Sequence, residues 1–173
     1  GANLKQRWKI LINEKEPVRK ELLFHPQLRD GNVSSRHIRK TFEQGLGSSA
    51  PNLLPILNEQ GECEPPTRYA YRSFDRQWLI PDARLLNDVR PILWDGFSKS
   101  QVFMTCLNAA SPSSGHPVML RALVPDQDHY SGRGGRAHPL WRDAEAKQSN
   151  VPPALLQQLA EAYGQPITPE DVM

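Results

Sequence analysis

Gln101-Val-Phe-Met-Thr-Cys-Leu107 and Val118-Met-Leu-Arg-Ala-Leu-Val124 are two β-rich runs joined by Asn108–Pro117, a stretch crowded with Ser, Gly and Pro. Two such runs around turn-forming sequence predict an antiparallel pair with a long turn. Upstream, Tyr69, Tyr71 and Ser73 alternate with Ala70, Arg72 and Phe74, and Trp78-Leu79-Ile80 closes on Pro81, so this stretch also reads as strand. Helical patterns flank the β-rich centre. Leu4, Trp8, Leu11 and Ile12 recur at the spacing of one helix face. Pro17 ends that helix and can open the next, where its missing N–H costs little; Val18, Leu22 and Leu23 give this second helix an apolar side. Ser34 or Ser35 can cap a further short helix, with Ile38 and Phe42 pointing inward and Gly45 ending it. Near the other end, Leu155, Leu156, Leu159 and Tyr163 mark the buried side of an amphipathic helix from about Pro152 to Tyr163, stopped by Gly164. The fold class is therefore α+β: basic N-terminal helices, a long irregular connection, a small mainly antiparallel sheet and C-terminal helices.

The expected organisation is a basic helical segment over 1–45, a Pro/Gly/Ser-rich connection over 46–67 and an α+β region over 68–173. A connection that long either packs as an arm or separates two sub-regions. Thr168-Pro169-Glu170-Asp171 is a helix start, with a capping hydroxyl, Pro at the first position and acids in the first turn. Met173 follows at once, which suggests truncation. The net charge of +2 conceals its distribution. Residues 1–45 hold ten Lys/Arg against five Asp/Glu, and 67–147 hold eleven against eight, while 46–66 and 148–173 hold three acids each and no base. Positive charge must be grouped on one face to bind a polyanion, and here the grouping is only suggestive. No run approaches the ~18 apolar residues of a membrane span, and no signal-peptide core opens the chain. Cys63 and Cys106 lack metal-site spacing and read as small thiols in a reducing cytoplasm.

Three blocks carry a family resemblance. They are Tyr71-Arg-Ser-Phe-Asp-Arg-Gln-Trp78; Val124-Pro-Asp126 with His129-Tyr130 and Gly132-Arg-Gly-Gly-Arg136; and Pro139-Leu-Trp-Arg-Asp143 with Asn150-Val-Pro-Pro-Ala-Leu-Leu156 and Thr168-Pro-Glu-Asp-Val172. In this order they resemble the C-terminal target-recognition region of type ISP-like restriction-modification enzymes and related bacterial adenine-specific DNA methyltransferases. The resemblance covers 69–173, and 1–66 are similar only in their Trp- and Arg-rich helices. It implies a parent enzyme that methylates adenine N6 with S-adenosylmethionine, possessing in type ISP members a nuclease and a translocase as well. The family's Asn/Asp-Pro-Pro-Tyr motif and cofactor-binding Gly motif do not occur here, since Pro152-Pro153 lacks the flanking Asn and aromatic residue. No catalytic residue is therefore carried over, and no cofactor or metal is expected in this chain. What carries over is the regional role, target recognition, with double-stranded DNA and the methyltransferase core of the parent chain as partners.

Candidate DNA contacts are Tyr71, Arg72, Arg76, Arg133, Gly134, Gly135, Arg136 and Arg142. In one continuous strand, Arg72 and Arg76 would share a sheet face, where guanidinium groups can grip guanine edges bidentately and tyrosines can stack. The competing structural role is an Arg–Asp lock to Asp75 or Asp82 above a core of Tyr71, Phe74 and Trp78. In Gly132–Arg136, consecutive glycines let N–H groups converge on a phosphate beside Arg133 and Arg136, or simply make a turn. That loop lacks the Lys-Ser/Thr ending of a nucleotide-hydrolysing loop. His129, Tyr130 and His138 flank it as surface or core residues. Lys5, Arg7, Lys9, Lys15, Arg19, Lys20, Arg36, Arg39 and Lys40 either track a phosphate backbone or form solvated helix faces.

Two other classes compete. An intramolecular module docking on the methyltransferase core would expose an apolar patch such as Trp8, Leu11 and Ile12 and lock its arginines internally. A nuclease of the PD-(D/E)xK type would use Asp126, Glu145 and Lys147 around Mg²⁺, which requires Glu145 and Lys147 on a strand. Asp143-Ala-Glu-Ala-Lys-Gln148 has no β-branched residue and runs into a loop, so this pattern is weak.

Overall fold

The computed structural model describes residues 1–24, 37–39, 45–47, 50–86, 89–107, 116–126, 129 and 135–173. Among them the fold is α+β, with helices flanking two small antiparallel sheets. The chain divides into two compact units: 1–67 with 78–91, and 68–77 with 92–173.

In the first unit, α1 (Ala2–Asn13) and α2 (Pro17–Phe24) form where the apolar spacing and Pro17 place them. Trp8 and Leu11 of α1 enter a core with Ile38, Ile56 and Ile80, edged by Leu4, Ile12, Phe24 and Leu57. Ile38 is fully buried as expected, but it sits in a turn. There the Leu57 amide donates to its carbonyl at 2.9 Å. The proposed cap at Ser34 or Ser35, and Phe42, lie outside the described residues. The irregular stretch after Gly45 includes a 3-10 turn, Ile56–Asn58, whose Ile56 is core. Trp8 Nε1 also donates to Gly61 O at 2.9 Å, tying α1 to this stretch.

Arg84 stands in this unit as a buried cation. Its Nε and Nη2 donate to Asp82, at 3.0 Å to Oδ1 and 2.6 Å to Oδ2 respectively. Its Nη1 donates to Glu59 Oε2 and Leu54 O, each at 2.8 Å. Each of the three guanidinium nitrogens donates to a protein oxygen, the pairing that a buried charge requires. Asp82 is thus occupied by Arg84 and is not the lock for Arg72.

The run 69–80 is not one strand. β1 (Thr67–Arg72) reverses at Ser73-Phe74 into β2 (Asp75–Leu79), forming a two-stranded hairpin. Arg72 and Arg76 therefore stand on different strands, and their even spacing no longer puts them on one face. The expected core of Tyr71, Phe74 and Trp78 is also absent. Phe74 is 92% exposed and Trp78 44%, while Tyr71 is half-buried.

A short helix, α3 (Pro91–Asp95), precedes the second sheet. β3 (Phe103–Leu107) and β4 (Val118–Arg121) pair antiparallel as the two β-rich runs predict, with Thr105 opposite Met119. A strand the sequence did not announce, β5 (Gly135–Pro139), pairs on the other side of β3, giving the order β4-β3-β5. Cross-strand partners share a face, so Phe103, Thr105, Met119, Arg121, Ala137 and Pro139 line one side of the sheet. Phe103 on this side and Leu140, just past β5, are fully buried. Gln101 seals the strand entry: its amide donates to Gly96 O and Trp141 O at 2.8 Å each and accepts from the amides of Val102 and Trp141.

α4 (Pro153–Tyr163) ends at Gly164, whose φ of 68° is the left-handed cap glycine supplies. Its apolar side is only partly covered: Leu156 and Leu159 are half-buried, while Leu155 is 38% and Tyr163 71% exposed. Thr168 and Asp171 exchange capping bonds at the start of a last 3-10 turn, Glu170–Val172. Among the described residues, no helix is long and apolar enough to cross a membrane.

Candidate nucleic-acid interface

The second unit carries the polar construction that the hairpin stands on. Ala70 of β1 donates to Val124 O at 3.0 Å and accepts from Asp126 N at 2.9 Å, so the hairpin base is stitched to the segment after β4. Beside these bonds Arg72 Nη1 donates to Asp126 Oδ1 at 3.0 Å. The same guanidinium donates to Tyr71 O at 2.8 Å and lies 4.0 Å from the Tyr71 ring centroid. Tyr69 packs edge-on to Tyr71 with centroids 6.0 Å apart. Burial, and after it the Asp126 charge, raises the Tyr69 phenol above its usual range.

Asp126 is therefore the partner in the Arg–Asp lock, not Asp75 or Asp82. Tyr71 and Arg72 come together as a stacked pair, with Arg72 half-buried and its charge offset. Arg76, one strand away, is exposed, and its carbonyl accepts from Arg68 Nη1 at 3.1 Å.

Arg121 links the sheet to the hairpin turn. Its Nη2 donates to Ser73 O, and its guanidinium carbon lies 5.8 Å from the Phe74 ring centroid. Its Nε donates to His129 Nε2 at 3.1 Å. An imidazole nitrogen that accepts carries no proton, so the other one does, and His129 Nδ1 donates to Ala70 O at 3.3 Å. His129 is thus a core histidine, 2% exposed and neutral. Burial holds its pKa below the usual 6.5, and the neighbouring Arg121 charge acts in the same direction.

Arg133 and Gly134 lie outside the described residues, as do Arg36 and Lys40 of the N-terminal basic set. Gly135 and Arg136 are strand residues of β5, opposite Leu107 and Cys106, and do not belong to a turn that cradles an anion. Arg136 is exposed on this edge strand. Arg142 is exposed in the loop after β5, its Nε donating to Asn150 Oδ1 at 3.1 Å. In the first unit Lys5, Arg7, Lys9, Lys15, Arg19 and Arg39 are exposed. Lys20 is not part of any phosphate-tracking face: it is 3% exposed and donates to Leu57 O at 3.3 Å. Burial pushes its ammonium pKa down.

The rival patterns fare as follows. Trp8 and Leu11 are buried in their own unit, so they form no docking patch. Glu145 sits in a turn, and Ala146 beside it has a φ of 57°, so Glu145 and Lys147 share no strand face. The Asp126 carboxylate is taken by Arg72, and among the described residues no cluster of three His, Cys, Asp or Glu could hold a metal.

Residue-level reasoning missed Arg121, Asp126 as the partner of Arg72, and the role of His129. A usable signal existed: Tyr71–Trp78 and Val124–His129 are separate blocks of the resemblance, and the fold makes them neighbours in space. No curated protein and no solved structure shows significant similarity to the chain. One family model, described as the type ISP C-terminal specificity domain, matches residues 1–173. With that match over its whole length, the chain belongs to the type ISP C-terminal specificity domains, the part of a type ISP enzyme that recognises its DNA target.

Proposed function

We propose that the chain reads double-stranded DNA for a larger bacterial adenine-N6 methyltransferase of the type ISP restriction-modification class, acting in host defence in the cytoplasm. In this account, a methyltransferase core elsewhere on the parent polypeptide binds S-adenosylmethionine and carries the chemistry. This chain contributes register and sequence selection. The observation that carries the reading is three exposed arginines of the second unit, Arg76 on the hairpin, Arg136 on β5 and Arg142 after it. Phosphate contacts set position and base contacts set sequence, and arginine serves both through its planar fork.

The test is selection from a pool of duplexes with randomised centres, followed by sequencing of the bound fraction. The account expects one enriched motif with adenine at a fixed position. Uniform recovery of all sequences, by a folded chain that does bind, contradicts a role in specificity. A second role, docking on the methyltransferase core, is favoured by one observation. The α4 side bearing Leu155 and Tyr163, and Val118 and Leu120 of β4, remain exposed. Apolar surface of this kind commonly marks a protein contact.

A further inference from the structure

We propose that the β1–β2 hairpin is a wedge: the Phe74 ring enters the base stack of a bound duplex while Arg76 beside it holds the backbone. This deepens the DNA-recognition reading and rests on it. Phe74 occupies the crown of a two-residue turn and is 92% exposed, the highest exposure among the large apolar residues described. The turn itself does not call for phenylalanine. Two-residue hairpin turns favour Gly, Asn or Asp at positive φ, and among the described residues Ala146 is the sole non-glycine with positive φ.

The crown is also held in place from below. Arg121 Nη2 bonds Ser73 O, the residue before Phe74 in the turn, and Arg121 is itself braced by His129. At the strand end, Arg72 is clamped by Asp126, and Ala70 is bridged to Pro125. An apolar ring presented on a fixed support loses little freedom on binding. Proteins that bend DNA insert such apolar side chains between base steps.

Charge selects the partner. Arg72 and Arg76 flank the turn in sequence and Arg121 lies 5.8 Å from the Phe74 ring centroid, against the carboxylates of Asp75 and Asp126. A cationic collar suits a polyanion better than it suits an apolar groove on another protein. Ser73, Phe74 and these charged residues all lie in the second unit.

The experiment compares the chain with Phe74→Ala, Phe74→Trp and Arg76→Ala, using duplexes recovered from the randomised pool. It measures affinity together with permanganate oxidation of thymines, which reports unstacked bases. Because Phe74 is exposed, its replacements should melt with the unaltered chain, and a thermal scan checks this. The unaltered chain is expected to create a reactive thymine step at a fixed place. Phe74→Ala should abolish that reactivity and weaken binding by roughly tenfold to hundredfold, the range of one lost base–aromatic stack. Phe74→Trp should restore both. Arg76→Ala should weaken binding and leave the oxidation pattern unchanged. If Phe74→Ala binds with full affinity and the same pattern, the wedge is refuted while DNA recognition stands, and Phe74 becomes a contact for protein. If the unaltered chain binds without unstacking any base, the wedge is likewise refuted. If it binds no duplex at all, recognition and wedge fall together.

Discussion

Arg84 and His129 are buried for different reasons, and the difference fixes what each should do when perturbed. Arg84 is a charge compensated by Asp82 and Glu59. Replacing it with Met leaves the Asp82 carboxylate buried without its partner, at a cost of about 3–5 kcal/mol. The urea midpoint should fall accordingly, whereas exposed Arg76→Ala should stay within about 0.5 kcal/mol of the unaltered chain. The hydrogen bond from Arg84 holds the Glu59 carboxyl below its usual 4.5, so this stabilisation is full above that pH and fades on acidification. His129 works at a higher pH. Its folded-state pKa is depressed by burial, so the folded state favours the neutral ring. The unfolded chain takes up the proton first, and stability is full above about 6.5 and declines as the pH falls toward the folded pKa. Nitrogen chemical shifts of His129 should report a neutral ring protonated at Nδ1 at pH 7, and a half-protonation point below 6.5. A half-point above 6.5 contradicts the Arg121–His129–Ala70 chain of hydrogen bonds.

At the scale of elements, what the sequence made legible followed the strength of its local signals. α1, α2 and α4 each had apolar spacing plus a Pro or Gly boundary; α2 and α4 form within a residue or so of their expected limits, while α1 stops at Asn13, short of Pro17. The β3–β4 pair was equally plain. β5 was not, because Gly135-Arg-Ala-His-Pro139 has neither β-branched residues nor alternation, and only pairing with β3 makes it a strand. The hairpin escaped because Ser73-Phe74 is not turn-like sequence, so two strands read as one. Burial was the least legible property. The α4 stripe looks like a core face, yet Leu155 and Tyr163 stay exposed. Leu155→Gln should therefore cost no more than about 0.5 kcal/mol, while Leu140→Ala, which empties a fully buried site, should cost about 2–5 kcal/mol. Calorimetric melting of the two variants separates these cases. A large loss from Leu155→Gln would mean that the helix packs on the protein after all.

Across the whole molecule, two compact units share a chain whose net charge is only +2. Five arginines of the second unit differ in how far they are buried. Arg72 and Arg121 are committed to Asp126, Ser73 and His129, and so build the platform. Arg76, Arg136 and Arg142 stand on its surface. This difference was invisible in the sequence, where nothing local separates the five. Their sorting depends on which strands become neighbours. Binding by the presented set releases counterions from DNA, so affinity must fall with salt. The most direct test is the affinity of the chain for a duplex recovered from the randomised pool, measured from about 50 to 200 mM salt, a range over which several phosphate contacts register clearly. A steep linear decline of log affinity with log salt is expected, its slope smaller by about one for each phosphate-contacting arginine removed among Arg76, Arg136 and Arg142. Affinity indifferent to salt, or a slope untouched by removing all three, contradicts the account.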